Sequence, residues 1–374
     1  MGYSMKRVTL FLLTVIVLGS AAAFVVCPKQ EYSASERRRL AGMPGFSADS
    51  LLDGSYMGAL ETYLLDHFPM REAYRGMKAD YAVNVLRQKE NNGIYIAQGH
   101  ASKLEYPLNE TGVERAVQLV RSLKETHFPN NRVFYTVIPD KNYFLAEPNG
   151  YPHMDYGKLF ALLSKGLDGE ARYIDIASAL TVDDYYRTDA HWRQECIGGV
   201  VQCLFDKMGC AETAFRPDAY TQHKIADFNG VYRGQAALPL PADEIVYLTN
   251  ETTENAQVYD VESNSMKKVY QTQLLSDEKS LDAYDIYLGG ARAVLVIDNV
   301  SGGSMEDDRR LIMFRDSFGS SLAPLLLEQY DEVVLVDLRY ISASLIDRYV
   351  DFGNADILFA YNTLIWNNAS ILKK

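Results

Sequence analysis

Four short runs in the last third of the chain, 292-RAVLVID-298, 310-RLIMF-314, 332-EVVLVDLR-339 and 356-DILFAYN-362, are apolar without alternation. A strand with one wet face alternates apolar and polar residues, whereas an unbroken apolar run is what a strand buried on both faces requires. Covering both faces takes helices, so these runs restrict the chain to an α/β architecture around a parallel sheet. Earlier segments agree: the β-rich runs 132-RVFYTVIPDK-141 and 171-ARYIDIAS-178 each follow a helical pattern, over 110–127 and 155–168. The first of these helices carries one apolar stripe, Val113, Ala116, Val117, Val120 and Leu123.

Between 212 and 288 the pattern pauses. Gly, Pro, Asn and Thr interrupt short alternating runs such as 244-EIVYLT-249, 256-AQVYDV-261 and 267-KKVYQTQL-274, which predict a β-rich antiparallel insertion. The α/β domain is then expected in two parts, 93–211 and 289–374, preceded over 31–92 by a linker and a helical lead-in. At the N-terminus, Lys6 and Arg7 precede 8-VTLFLLTVIVLGSAAAFVVC-27, which holds no charge and is long enough to cross a hydrocarbon core of about 30 Å. Residues 1–30 are therefore read as a single-pass membrane anchor, and the basic pair keeps that end cytoplasmic and the rest outside the cell. The alternative is a signal peptide cut near Ala21–Ala23, which leaves a secreted protein. Cys196, Cys203 and Cys210 recur every seven residues along one expected helix, 192–208 and its end, too far apart to form disulfides and most simply core residues. The net charge of −12 with no basic stripe argues against a nucleic-acid partner.

Chemistry concentrates in two places. In 310-RLIMFRDSFGSSLAPLLLEQY-330 a strand runs into Ser317 and a helical pattern begins at once, which sets the hydroxyl beside the unpaired N–H groups of a helix start. In 185-YYRTDAHWRQECIGG-199, Asp189 and His191 stand one residue apart. A serine nucleophile needs an imidazole base, and the imidazole needs a carboxylate to fix its tautomer. The plainer readings are that Ser317 caps its helix and that Asp189 caps the helix 192–208. A metal site is not expected, because no second histidine lies near His191 at ligand spacing.

The segment 186-YRTDAHW-192 resembles the signature of the DHHW proteins of bacterial cell surfaces, with Ala190 in place of the first histidine. The resemblance extends through 137-VIPDKNYF-144, 227-DFNGVYRGQ-235, 314-FRDSFGSSLAPLL-326, 332-EVVLVDLRYI-341 and 356-DILFAYN-362. Those proteins are similar to the alginate O-acetyltransferase group of SGNH-like hydrolases, in which a D-x-H-W motif precedes the nucleophilic serine. The resemblance implies an SGNH-hydrolase-like parallel sheet flanked by helices, with Ser317 as nucleophile, His191 as base and Asp189 as its orienting carboxylate. It suggests Asn362, at the end of a strand, as an oxyanion donor. Arg315 stands where many SGNH enzymes have the glycine of Gly-Asp-Ser and would narrow the approach to Ser317 or bind an anionic group. Arg339, Tyr186, Lys141 and Tyr232 are further candidates to line the cleft. The implied activity is an extracytoplasmic O-acyl, foremost acetyl, transferase or esterase on a cell-surface polysaccharide, without a cofactor, its acyl donor coming from a membrane acyltransferase. The alternative is a non-catalytic carbohydrate-binding or scaffold protein of an envelope assembly machine, to which the 26 tyrosines would also suit.

Overall fold

The computed structural model of the protein describes residues 2–210, 214–276, 282–300 and 309–374. The start of the expected insertion, at 212, lies outside the described residues. The chain divides into two compact units, Met1–Asn92 with Arg233–Pro239, and Gly93–Tyr232 with Leu240–Lys374.

The first unit begins with α1 (Gly2–Val26), in which Lys6–Val26 is long and apolar enough to cross a membrane. A two-residue ladder, β1 (Tyr32–Ser33) with β2 (Arg38–Arg39), is followed by α2 (Ala48–Leu52), α3 (Ser55–Asp66) and α4 (Arg71–Asp80), which runs on into a π-helical turn at Tyr81–Val85. Its interior is ionic. Asp66 is buried and accepts from Arg38 at 2.8 Å and from the Ala41 N–H at 2.9 Å, and Arg71 and Arg75 close on Glu36 at 2.6 and 3.2 Å. The hydrogen bond from Arg38, aided by the charge of Arg71, holds the Asp66 carboxyl down at about 2.

In the second unit the hairpin β3 (Ile94–Ala97) and β4 (His100–Lys103) leads to α5 (Glu110–His127), capped by Asn109, then β5 (Val133–Ile138), α6 (Lys141–Asn149), α7 (Tyr156–Gly166) and β6 (Arg172–Tyr173). After α8 (Gly198–Met208), a separate antiparallel pair forms from β7 (Thr221–Phe228) and β8 (Asp243–Thr249), with the short α9 (Val231–Ala236) between them. There follow α10 (Glu251–Asn255), β9 (Gln257–Asp260), β10 (Ser265–Lys267), β11 (Val294–Asp298), β12 (Arg310–Arg315), α11 (Phe318–Leu326), β13 (Glu332–Val336), β14 (Asp356–Asn362) and α12 (Thr363–Asn367).

Eight strands make the central sheet in the order β10-β9-β11-β13-β12-β14-β5-β6, and the five from β13 to β6 are parallel. The alternation that the apolar runs hide is visible in the core. Leu311 and Met313 of β12 join one cluster with Val201 of α8 and Leu322 of α11, while Ile312 and Phe314 join the other with Val120 of α5 and Trp366 of α12. Both faces are thus covered, as the unbroken runs require.

Two features differ from the expectation for the later strands. β11 is antiparallel to both of its neighbours, β13 and β9. An antiparallel neighbour, unlike a parallel one, needs no crossover helix between the two strands. The section 212–288 is also not a separate β-rich body, because β9 and β10 extend the central sheet while only β7 and β8 stand apart from it.

Candidate active site

Ser317 lies between the end of β12 and the start of α11, with φ −62° and ψ −24°, an unstrained helical backbone. Its side chain does not cap the helix. Asp316 does so instead, its Oδ1 accepting the Phe318 N–H at 3.0 Å, while Oδ2 accepts the Asn362 N–H at 2.7 Å and ties β12 to the end of β14. The Ser317 Oγ is therefore left for another partner, the His191 Nε2 at 2.7 Å. The opposite ring nitrogen, Nδ1, lies 2.6 Å from Asp189 Oδ1. With a carboxylate at Nδ1 the ring carries its proton there, and the Nε2 lone pair faces the serine hydroxyl.

Asp189 is fully buried. Oδ1 also accepts the His191 N–H at 3.1 Å, and Oδ2 accepts the Val231 N–H at 2.9 Å. It does not cap the expected helix: α8 begins nine residues later, at Gly198, after a 3₁₀ turn over Gln194–Cys196, and the N–H it accepts from Val231 is the first of α9. The expected helix 192–208 starts late because its first residues are committed elsewhere. Trp192 Nε1 donates to Ser321 Oγ at 2.9 Å, and Gln194 Nε2 donates to Ser321 O at 2.8 Å, so this stretch is drawn onto the first turns of α11. The three cysteines fall in different settings, Cys196 in the 3₁₀ turn, Cys203 in α8 and Cys210 beyond it, and all are free thiols.

The imidazole is fixed as a plate. It stacks on Tyr284 at a centroid distance of 3.9 Å and 9°, with Phe318 tilted against it at 4.9 Å, and the Tyr284 hydroxyl meets Ser321 Oγ at 2.8 Å. Ser321 thus joins the tryptophan of the D-x-H-W segment and the ring under His191 to the helix that carries Ser317.

The loop carrying Asp189 is held from three sides. Asp243, at the start of β8, accepts the N–H groups of Arg187 at 3.0 Å and Thr188 at 2.8 Å and the Thr188 hydroxyl at 2.5 Å. From 228-FNGVY-232, Gly230 N donates to Thr188 Oγ1 at 2.8 Å and Tyr232 N to Thr188 O at 3.0 Å. Gly230 fits because it lacks a Cβ, which would stand 2.3 Å from the Thr188 carbonyl atoms and 2.4 Å from Asp189 N. The third tie is Lys141, wholly buried, whose Nζ donates to Tyr186 O at 2.9 Å and Arg187 O at 3.3 Å. Lys141 thus ties the loop's backbone and does not line the cleft as expected, and Gly230 does not show itself by residue type as a site residue. The signal available was their place in segments that resemble the family, 227–235 and 137–144.

Burial pushes the Lys141 ammonium down to about 7, against the pull of the Asp189 and Asp243 carboxylates. The unfolded chain keeps that proton to about pH 10.4. Between these values the unfolded state binds more protons, so stability rises with pH across the window, and the destabilising contribution is complete below about 7. Chemical denaturation at pH 6.5 and 9.5, run in parallel on Lys141→Met, is expected to show the wild-type protein gaining relative to the variant at the higher pH (~7 to ~10.4 being the titrating window). An unchanged difference between the two proteins would mean that the lysine titrates normally.

The remaining candidates divide. Asn362 ends β14 and caps α12 through Oδ1, which accepts the Ile365 N–H at 3.0 Å, and the cap leaves Nδ2 unused. Arg315 does not line an approach. Its side chain is fully buried, its stem passes over Gly319, where a Cβ would stand 2.7 Å from its own, and Nη1 reaches Asp316 O at 3.3 Å and Ser320 Oγ at 3.2 Å, with Asp337 Oδ2 at 3.8 Å. It braces the turn from beneath and does not narrow the entrance as expected. Arg339 follows β13, half-buried, and is engaged by both oxygens of Asp337 at 2.9 and 2.6 Å. Tyr186 is also no wall of the cleft: its ring is fully buried, edge-on to Phe228 at 5.0 Å, and its contribution is backbone, the N–H donating to His191 O at 3.1 Å. Among the described residues no cluster of His, Cys, Asp and Glu could hold a metal ion.

Taken together, fold and site define an α/β protein with a Ser–His–Asp array at the carboxyl ends of its parallel strands. Among solved structures the chain is similar to a DHHW family protein from Eubacterium siraeum, with a TM-score of 0.59 and 18% identity over 75% of this chain and 94% of that one. It is also similar to PatB1 from Bacillus cereus, with TM-scores of 0.58 in a structure bearing a sulfonyl adduct and 0.57 in one without, at 16% identity over 75% of this chain and 98–99% of PatB1. These likenesses show a shared fold, the one to which the D-x-H-W resemblance pointed. No protein-family profile and no curated protein matches the chain by sequence.

Proposed function

We propose that the protein is a serine-dependent O-acyl, foremost acetyl, transferase or esterase that works on a polysaccharide outside the cell membrane. The observation that carries this reading is the continuous array from Ser317 Oγ to His191 Nε2 at 2.7 Å and from Nδ1 to Asp189 at 2.6 Å. Ser317 Oγ attacks the acyl carbonyl of a donor ester as its proton passes to Nε2, and Asp189 stabilises the imidazolium. The oxyanion forms at the start of α11, where the Ser317 N–H and the Asn362 Nδ2 are the candidate donors. The tetrahedral intermediate collapses, the leaving alkoxide takes the proton from Nε2, and Ser317 keeps the acyl group as an ester. An acceptor hydroxyl then gives its proton to Nε2, attacks the acyl-serine and leaves acylated, with Ser317 reprotonated. A sugar hydroxyl as acceptor makes the protein a transferase and water makes it an esterase. Helix α1 is proposed to remain as an anchor, with Lys6 and Arg7 inside and the second unit outside.

The test follows from the adduct seen on PatB1. An arylsulfonyl fluoride is expected to add its sulfonyl mass to Ser317 alone, located by peptide mass spectrometry, and to abolish hydrolysis of a chromogenic acetyl ester. Ser317→Ala is expected to lose both. No adduct at Ser317 under conditions where the protein is folded, together with no release of acetate, would favour the carbohydrate-binding or scaffold function.

A further inference from the structure

The first unit is built inside out. Its buried apolar side chains are Leu40, Ala79, Ala82, Ala236 and Leu238, and the buried residue of α3 is Asp66, at the centre of the Arg38–Glu36–Arg71 ion pairs. Large apolar side chains of the same helices and their flanks point outward: Leu52 is 86% exposed, Met70 73% and Phe46 69%, and Leu65, Met77 and Val85 are exposed with them. A helix facing water turns its apolar stripe inward. Isolated exposed leucines need no explanation, but an unbroken set over α2, α3, α4 and the π turn, around an ionic interior, marks a surface whose natural neighbour is apolar.

The place of this surface identifies that neighbour. The C-terminal end of α1 abuts it: Phe24 meets Tyr63 of α3 edge-on at 6.0 Å, and Cys27 and Pro28, where the apolar helix ends, share a cleft of about 500 Å³ with Phe68, Pro69 and Met70 at the α3–α4 corner. The corner that carries Phe68 and Met70 therefore meets the end of α1, where that helix would leave the hydrocarbon. We infer that α2, α3, α4 and the π turn lie in the lipid interface, their Phe, Leu and Met side chains among the acyl chains, so that this unit is a membrane-resident collar around the anchor. The inference rests on α1 being retained as an anchor. Interfacial helices of this kind pair an apolar face with a basic one, and the exposed Lys78 of α4 is a cation on the polar side.

The test uses the full chain in vesicles of phosphatidylcholine and phosphatidylglycerol in equal amounts. A photoactivatable diazirine phospholipid labels groups in contact with acyl chains, hydroxyl radicals oxidise methionines in contact with water, and both are read by peptide mass spectrometry. Lipid adducts are expected on the peptides holding Leu52, Leu65, Met70 and Met77 as well as on α1, with Met70 and Met77 protected from oxidation. The double substitution Leu65→Glu with Met77→Glu is expected to lower labelling of 48–86 by about tenfold relative to α1, while hydrolysis of a soluble acetyl ester is unchanged. Labelling of α1 without labelling of 48–86, with Met70 and Met77 oxidised, would overturn the collar and leave the anchor standing. Protection of the two methionines without lipid adducts would overturn it in favour of a protein covering the surface. A native chain lacking α1 would sink the anchor and the collar with it.

Discussion

Asp189→Asn is expected to lower kcat for acyl transfer by about 10⁴, the size of the effect known for the corresponding change in a serine protease. The structure says why the amide fails in either orientation. Asp189 accepts on both oxygens, from His191 N and Nδ1 on Oδ1 and from Val231 N on Oδ2. An asparagine that turns its oxygen to the histidine presents an NH₂ to the Val231 N–H and leaves two buried donors facing each other. Turned the other way, its NH₂ meets Nδ1 and forces the proton to Nε2, where it faces Ser317 and disables the base. Neither orientation supplies the charge that stabilises the imidazolium. The first orientation adds a buried unsatisfied N–H, so a fall of about 1–3 kcal/mol in stability accompanies the loss of turnover. A helix cap would have behaved differently, since asparagine caps as well as aspartate. Turnover within tenfold of wild type, measured on the chromogenic acetyl ester, would remove Asp189 from the mechanism.

Gly230→Ala is the second large effect, and it acts without touching a reacting atom. The added Cβ would sit 2.3 Å from Thr188 C and O, backbone atoms that cannot rotate aside. Either the 228–232 segment or the Thr188–Asp189 peptide must move by about 1 Å, a displacement of the kind that costs about 10² in rate when it reaches a catalytic group. The N–H groups of Gly230, Val231 and Tyr232 that clamp the loop lengthen together. The expected result is a fall in kcat of about 10² or more with a destabilisation of about 1–3 kcal/mol, and KM for a small ester little changed. Wild-type kcat in this variant would show that the clamp does not set the position of Asp189.

The central sheet was legible because its strands are buried on both faces, and β12, β13 and β14 start where their apolar runs do. α5 was equally open to reading, since its apolar stripe is local. By residue type alone a helix cap at Ser317 was the plainer reading, and it was the D-x-H-W resemblance that joined Ser317, His191 and Asp189 into one candidate set. Less could be read where tertiary ties override local preference. The late start of α8 depends on Trp192 and Gln194 reaching Ser321, and no window of sequence around 192 contains that partner. Arg315 reads as an exposed strand-end cation until Gly319 and Ser320 are seen to give its stem a path beneath the turn. The direction of β11 depends on which strand it pairs with, which an apolar pattern does not encode.

The edges of the central sheet bear on how copies of the chain tolerate one another. At one side the sheet ends in β6, two residues long, and at the other in β10, three residues long and ending in Lys267, whose ammonium is held by Asp260. An edge strand is a template for a neighbour's backbone, and its danger grows with the length of unpaired ladder that it offers. Here each flank presents too little backbone to seed an intermolecular strand. At a membrane surface, where α1 is proposed to hold the chain, identical molecules meet more often than in free solution, and such short margins disfavour growth from sheet to sheet.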